Sequence, residues 1–135
     1  MKILIVEDDP TTAEIMKIVV REHGEFRHAA NGQLGYDLYC DAYEQEEPFD
    51  LIFMDIMMPV ADGQEALAAI RQFEEENGLS QAEGVQVVML SCIDDPIEVY
   101  EALSSGAIDY LTKPIERKKV ESVIDRVKAS KELSH

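Results

Sequence analysis

Five short strand candidates alternate with five stretches of helical periodicity, and this alternation restricts the fold more than any other feature of the chain. The candidates are Ile3–Val6, Phe26–Ala29, Leu51–Met54, Val85–Leu90 and Asp109–Thr112. Ile3–Val6 and Leu51–Met54 are continuously apolar, the pattern of strands covered on both faces in a parallel sheet. Strand and helix in strict turn imply a parallel sheet with helices on both sides and right-handed crossovers. Leu51–Met54 is the natural centre: a carboxylate, Asp55, follows it at once, and Pro59 forbids a continuing central strand. Asp55 is therefore expected at the carboxyl end of that strand, the edge at which open α/β sheets bind ligands.

The helical stretches carry their own start and stop signals. Asp9-Pro10 and Asp94-Asp95-Pro96 each place a capping acid before a proline suited to the first helical position. Met16, Val19, Val20 and His23 mark one face of the first helix, and Gly24 ends it. His23 is thus a helix-end residue. His28 has no metal-spaced partner and receives no role. After the Asn31-Gly32 turn, a helix from about Gln33 repeats Leu34, Leu38 and Ala42, and Pro48 closes the segment. Asp62-Gly63 opens a helix with an inner face of Leu67, Ile70 and Phe73 that ends near Asn77-Gly78; residues 79–84 form a polar loop. Ile97, Tyr100 and Leu103 give the next helix its packing side, and Gly106 stops it. The last helix runs from about Glu116 to Lys131, with Val120, Val123, Ile124 and Val127 inward and Arg117, Lys118, Lys119, Arg126 and Lys128 outward.

At 135 residues, with 46% apolar content, the chain suits one domain with a real core. A formal charge of −16 argues against binding nucleic acid or an anionic membrane, whose phosphates would repel it. The acidic runs Glu44, Glu46, Glu47 and Glu74-Glu75-Glu76 read as solvated faces. Cys40 and Cys92 match no zinc or redox spacing and suit a reducing compartment. With no secretory signal and no apolar run of membrane-spanning length, a cytoplasmic protein is expected.

Glu7-Asp8, Asp55, Ser91-Cys92 and Lys113-Pro114 each directly follow a strand, so a parallel sheet projects them from one edge. Three carboxylates, a hydroxyl and an ammonium in one crevice need a reconciling charge. An all-oxygen set suits Mg2+, with Mn2+ as a substitute. A carboxylate can accept a phosphoryl group as a mixed anhydride. A metal ion, Lys113 and Ser91 can then neutralise or hydrogen-bond its oxygens.

The segments ILIVEDDP, LIFMDIMMPVADG, VVMLSC and DYLTKP, in this order, resemble the receiver domain of two-component response regulators, and the likeness spans essentially the whole chain. The resemblance implies a flavodoxin-like, doubly wound α/β fold, a five-stranded parallel sheet in the order 2-1-3-4-5 with five helices; a chemotaxis receiver is a standard example of that order. It implies a single receiver over residues 1–135 with no output domain, self-catalysed phosphotransfer in place of enzymatic turnover, and Asp55 as phosphoacceptor. Asp8 would ligate Mg2+ directly and Glu7 through water, with Asp55 and the backbone carbonyl of Met57 completing the set. Lys113 would contact the phosphoryl group, its bond to Pro114 being cis. Ser91 would swing toward the phosphoryl oxygen and Tyr110 would follow, forming the switch. Expected partners are a histidine kinase or phosphotransfer protein as donor, a downstream protein target or fused output domain, and a second copy. That copy would meet the face formed by the helix from Pro96, the last strand and the last helix, through Glu98, Glu101 and Asp109 opposite Lys118, Lys119 and Arg126.

Two departures from the family pattern bear on the site. Cys92 stands where the family often has a smaller residue. Met57 and Ile93, two residues beyond Asp55 and Ser91, are both apolar and would flank the path of an attacking water, which predicts slow loss of phosphate. Other readings fit less well. A haloacid-dehalogenase-type phosphatase wants an acid where Met57 stands. A flavodoxin-type nucleotide binder needs a phosphate loop where Glu7-Asp8-Asp9-Pro10 stands. A docking module indifferent to phosphorylation would not need the full set of acids with Ser91 and Lys113.

Overall fold

A computed structural model describes residues 1–57, 62–80, 82–93 and 95–133. The chain alternates β1 (Lys2–Val6), α1 (Pro10–Val20), β2 (Glu25–Ala29), α2 (Gly32–Glu44), β3 (Leu51–Asp55), α3 (Gly63–Glu76), β4 (Gln86–Ser91), α4 (Pro96–Ser104), β5 (Asp109–Thr112) and α5 (Arg117–Leu133). All neighbouring strands are parallel, in the order β2-β1-β3-β4-β5. This is the expected doubly wound topology. Pro59, Gln81 and Asp94, used above as turn, loop and cap signals, lie outside the described residues.

The pleat divides the core in two. Ile3, Ile5, Leu51, Phe53, Val88 and Leu90 face α1 and α5, whose Met16, Val20, Val120, Val123 and Ile124 cover them. Leu4, Val6, Ile52, Met54, Val87 and Met89 face α2, α3 and Ala102 of α4. Every residue of β3 is buried, as a central strand requires. The capping acids act as their sequence positions predict: Asp9, Asp62 and Asp95 accept from the amides of Thr12, Glu65 and Ile97 at 3.1, 2.9 and 2.9 Å.

Three helix faces differ from expectation. On α2 the buried positions are Gly32, Gly35, Tyr39 and Ala42, while Leu34 is 49% exposed. A Cβ on Gly35 would lie 2.7 Å from Val6 Cγ2, so α2 rests on the sheet through a residue without a side chain. On α4 the inward residue is Ala102, whereas Ile97, Tyr100 and Leu103 are 68%, 73% and 48% exposed. On α3 Glu74 is buried, not solvated. Its carboxylate accepts from Tyr39 Oη and the Val85 amide, both at 2.7 Å, and from Arg71 Nη1 at 2.8 Å. Arg71 also donates to the carbonyls of Val85, Ser105 and Gly106, which fastens the end of α4 to α3.

Candidate functional site

Parallel register sets the site. Val6 pairs with Met54, Asp55 with Leu90 and Ser91 with Thr112, so Glu7, Asp55, Ser91 and Lys113 leave adjacent strands at the same edge. Asp55 is 2% exposed at the end of β3. Gly63 begins α3 directly behind it: a Cβ there would sit 2.3 Å from the Asp55 carbonyl oxygen, and the Gly63 amide donates to Ile56 O at 2.9 Å. Only glycine permits so close an approach.

Glu7, Asp8 and Asp55 each present a carboxylate oxygen within 4.8 Å of the others. Lys113 Nζ lies 2.6 Å from Glu7 Oε1 and 3.3 Å from Asp55 Oδ2. The Glu7 contact is an ion pair by distance, yet Glu7 Oε1 is buried without an aligned hydrogen bond. Burial, reinforced by Glu7, pushes the Asp55 carboxyl up to about 6. Asp8 is also raised, by partial burial and by Asp55. Burial alone would lower the Lys113 ammonium, but Glu7 and Asp55 outweigh it and hold it above its usual range. Three acids facing one amine leave net negative charge in a dehydrated crevice. Two buried carboxylates sharing one ammonium, an all-oxygen donor set and this excess charge fit a hard divalent cation.

The hydroxyl side of the site converges on the backbone of one residue. Ser91, fully buried, accepts from the Ile93 amide at 3.1 Å, while Tyr110 Oη donates to the Ile93 carbonyl at 2.6 Å and lies 3.2 Å from Glu98 Oε2. The Met57 amide donates to Asp55 Oδ1 at 3.2 Å. The side chains of Met57 and Ile93 stand 53% and 38% exposed at the rim, and Cys92 is exposed beside them. The Lys113–Pro114 peptide bond is cis. The structure thus brings together Glu7, Asp8, Asp55 and Lys113 in one group and Ser91, Ile93 and Tyr110 in another beside it.

Sequence reading gave His28 no role, but its Nε2 lies 2.9 Å from the Glu7 carbonyl oxygen. The strand pattern alone could not reveal this, because the contact depends on how the chain turns after β1. His23, taken as a helix-end residue, lies beyond α1 and pairs with Glu121 of α5 at 3.1 Å. Asp109 and Arg126, expected to serve a contact between copies, pair within the chain.

The family model for the response regulator receiver domain matches residues 3–125. The chain belongs to the response regulator receiver family. The receiver is 30% identical over 132 residues to the transcriptional regulatory protein CitT of Halalkalibacterium halodurans, covering 98% of this chain and 54% of CitT. It therefore spans about half the length of that relative. It superposes with a TM-score of 0.80 and 33% identity on the Saccharomyces cerevisiae Ssk1 receiver, solved with the phosphotransfer protein Ypd1, covering 92% of this chain and 86% of that one. A CheX–CheY–BeF3–Mg2+ complex from Borrelia burgdorferi matches with a TM-score of 0.79 and 26% identity, covering 94% of this chain and 88% of that one. No described helix of the receiver is long and apolar enough to cross a membrane.

Proposed function

We propose that this receiver of two-component signalling takes a phosphoryl group onto Asp55 from a histidine kinase or phosphotransfer protein. The observation that carries the reading is the convergence of Lys113 with Glu7, Asp8 and Asp55 at one strand edge. In the transfer, an Asp55 oxygen attacks phosphorus, the bond from phosphorus to the donor's imidazole nitrogen breaks, and that nitrogen recovers a proton. Asp55 needs no general base, since a carboxyl near 6 is mostly ionised at neutral pH. Glu7, Asp8 and Asp55, with the Met57 carbonyl, would hold Mg2+ or Mn2+. The ion would supply positive charge that lowers the Asp55 carboxyl and offsets charge on the phosphoryl oxygens. Lys113 lies close enough to Asp55 to pair with the same group.

Signal output follows from residue Ile93. If Ser91 turns its hydroxyl toward a phosphoryl oxygen, the Ile93 amide loses its acceptor, while the Ile93 carbonyl, in the next peptide unit, holds the Tyr110 hydroxyl. The Ser91 and Tyr110 states are therefore coupled through the two backbone dihedrals of a single residue. A downstream protein or fused output domain would read the change on the face of α4, β5 and α5. A symmetric dimer through that face has less charge to draw on than the sequence suggested, because Asp109 and Arg126 already pair with each other. We place the receiver in the cytoplasm, as a module that does not turn over substrate, with Met57 and Ile93 slowing hydrolysis by screening Asp55.

Incubation with a small phosphodonor and Mg2+, followed by intact-mass measurement, tests the assignment. One phosphoryl adduct is expected, absent in Asp55→Asn and in the presence of a chelator. An adduct that persists in Asp55→Asn would refute it. Decay of the adduct should quicken in the double variant Met57→Asn, Ile93→Glu; an unchanged rate would remove the screening role.

A further inference from the structure

We propose that His28 is a positioning residue for the acidic turn after β1: its ring holds the Glu7 carbonyl and thereby sets the Glu7 and Asp8 carboxylates for a divalent cation. The inference rests on the phosphoacceptor reading above and adds a residue to it.

β1 and β2 run in register to Val6 and Ala29, and the Glu7 amide extends the ladder by donating to Ala29 O at 3.0 Å. The next rung would join the Glu7 carbonyl to the amide of Asn31. There the chain leaves the sheet, because Asn31 caps α2 by accepting from the Leu34 amide at 2.9 Å. Among the described residues no backbone amide reaches the Glu7 carbonyl. His28 Nε2 fills that rung at 2.9 Å. A carbonyl can only accept, so Nε2 carries the proton.

The geometric consequence is local. The Glu7 carbonyl belongs to the planar peptide that also contains the Asp8 nitrogen and Cα. With its amide on Ala29 and its carbonyl on His28, Glu7 is fixed from both sides. The plane from which the Asp8 side chain departs is fixed with it. Asp8 is exposed, so the packing that locks Glu7 and Asp55 does not hold it. A metal site depends on such outer partners to orient its ligands, and their loss typically weakens metal binding by about 10–100-fold.

The test is titration of the intact chain with magnesium chloride by calorimetry and with manganese chloride by electron paramagnetic resonance, alongside thermal unfolding without metal. His28→Leu removes the donor, His28→Asn keeps polarity but is too short, and His28→Gln carries an N–H at the reach of Nε2. His28→Leu and His28→Asn are expected to bind both ions at least about 10-fold more weakly than wild type, with His28→Gln staying close to wild type. Wild-type affinity in His28→Leu or His28→Asn would overturn the proposal. So would a His28→Gln chain that is folded yet binds as weakly as His28→Leu. A wild-type protein that bound neither ion would overturn the phosphoacceptor reading and this proposal together.

Discussion

Asp55 is held in a state that costs the metal-free protein stability. Its carboxyl is raised to about 6 by burial and by Glu7, so the fold binds its proton more tightly than the unfolded chain does. As pH rises from about 4 through about 6, the unfolded chain releases this proton first, and the folded state loses stability relative to it. Asp55→Asn removes that ionisation and is expected to stabilise the metal-free protein at pH 7 by about 1–3 kcal/mol. The gain should fade toward pH 4, and saturating Mg2+ should reverse it by stabilising only the wild type. Thermal unfolding across pH, with and without chelator, measures both. The side chains gathered at the strand edge were legible in the sequence because each one directly follows a strand. His28 was not, because it acts on the backbone of a distant turn and lies in the least apolar strand.

Helices α2, α3 and α4 separate what sequence patterns reveal from what they hide. Their existence and caps were readable, since Asx caps and Pro at the first turn are local chemistry. Two of their inward faces were not. Leu34, Ile97, Tyr100 and Leu103 repeat at helical spacing yet face outward, while Gly35 and Ala102 make the contacts, because a helix lying close on a sheet needs small residues there. Leu34→Ala and Tyr100→Ala should therefore change stability by no more than about 0.5 kcal/mol, whereas Tyr39→Ala should cost about 3–5 kcal/mol, as urea denaturation would report. Glu74 was misread as solvated because, besides the nearby Arg71, its partners are Tyr39, distant in sequence, and the backbone amide of Val85. Burial and this carboxylate together keep the Tyr39 phenol protonated well above its usual range. Glu74→Ala strands those donors and should cost about 3–5 kcal/mol, with faster amide exchange in 96–106 than in α5.

At the scale of the whole molecule, both layers followed from the alternation of strands and helices, the strand order followed only from the resemblance to receivers, and the common edge of the site followed from the parallel layers. A chain of formal charge −16 repels itself, and the acids of the site add to that. Raising NaCl from about 20 to 200 mM should raise the melting temperature of the metal-free protein by screening. Millimolar Mg2+ should raise it further at constant ionic strength, and equal midpoints in Mg2+ and NaCl would contradict a specific ion site. The two rims of the sheet are not independent, because α4 spans from one to the other. Arg71 grips the carbonyls of Ser105 and Gly106 just past the last turn of α4, whose first turn carries Glu98 beside the Tyr110 hydroxyl. A helix latched at one end behaves as a lever. Nine residues give it an arm of about 13 Å, so a tilt of about 5° about the latch sweeps the free end through about 1 Å. A hydrogen bond at Ile93 does not survive much more than that, so the fastening at the Arg71 end sets how large a swing the Glu98 end can make.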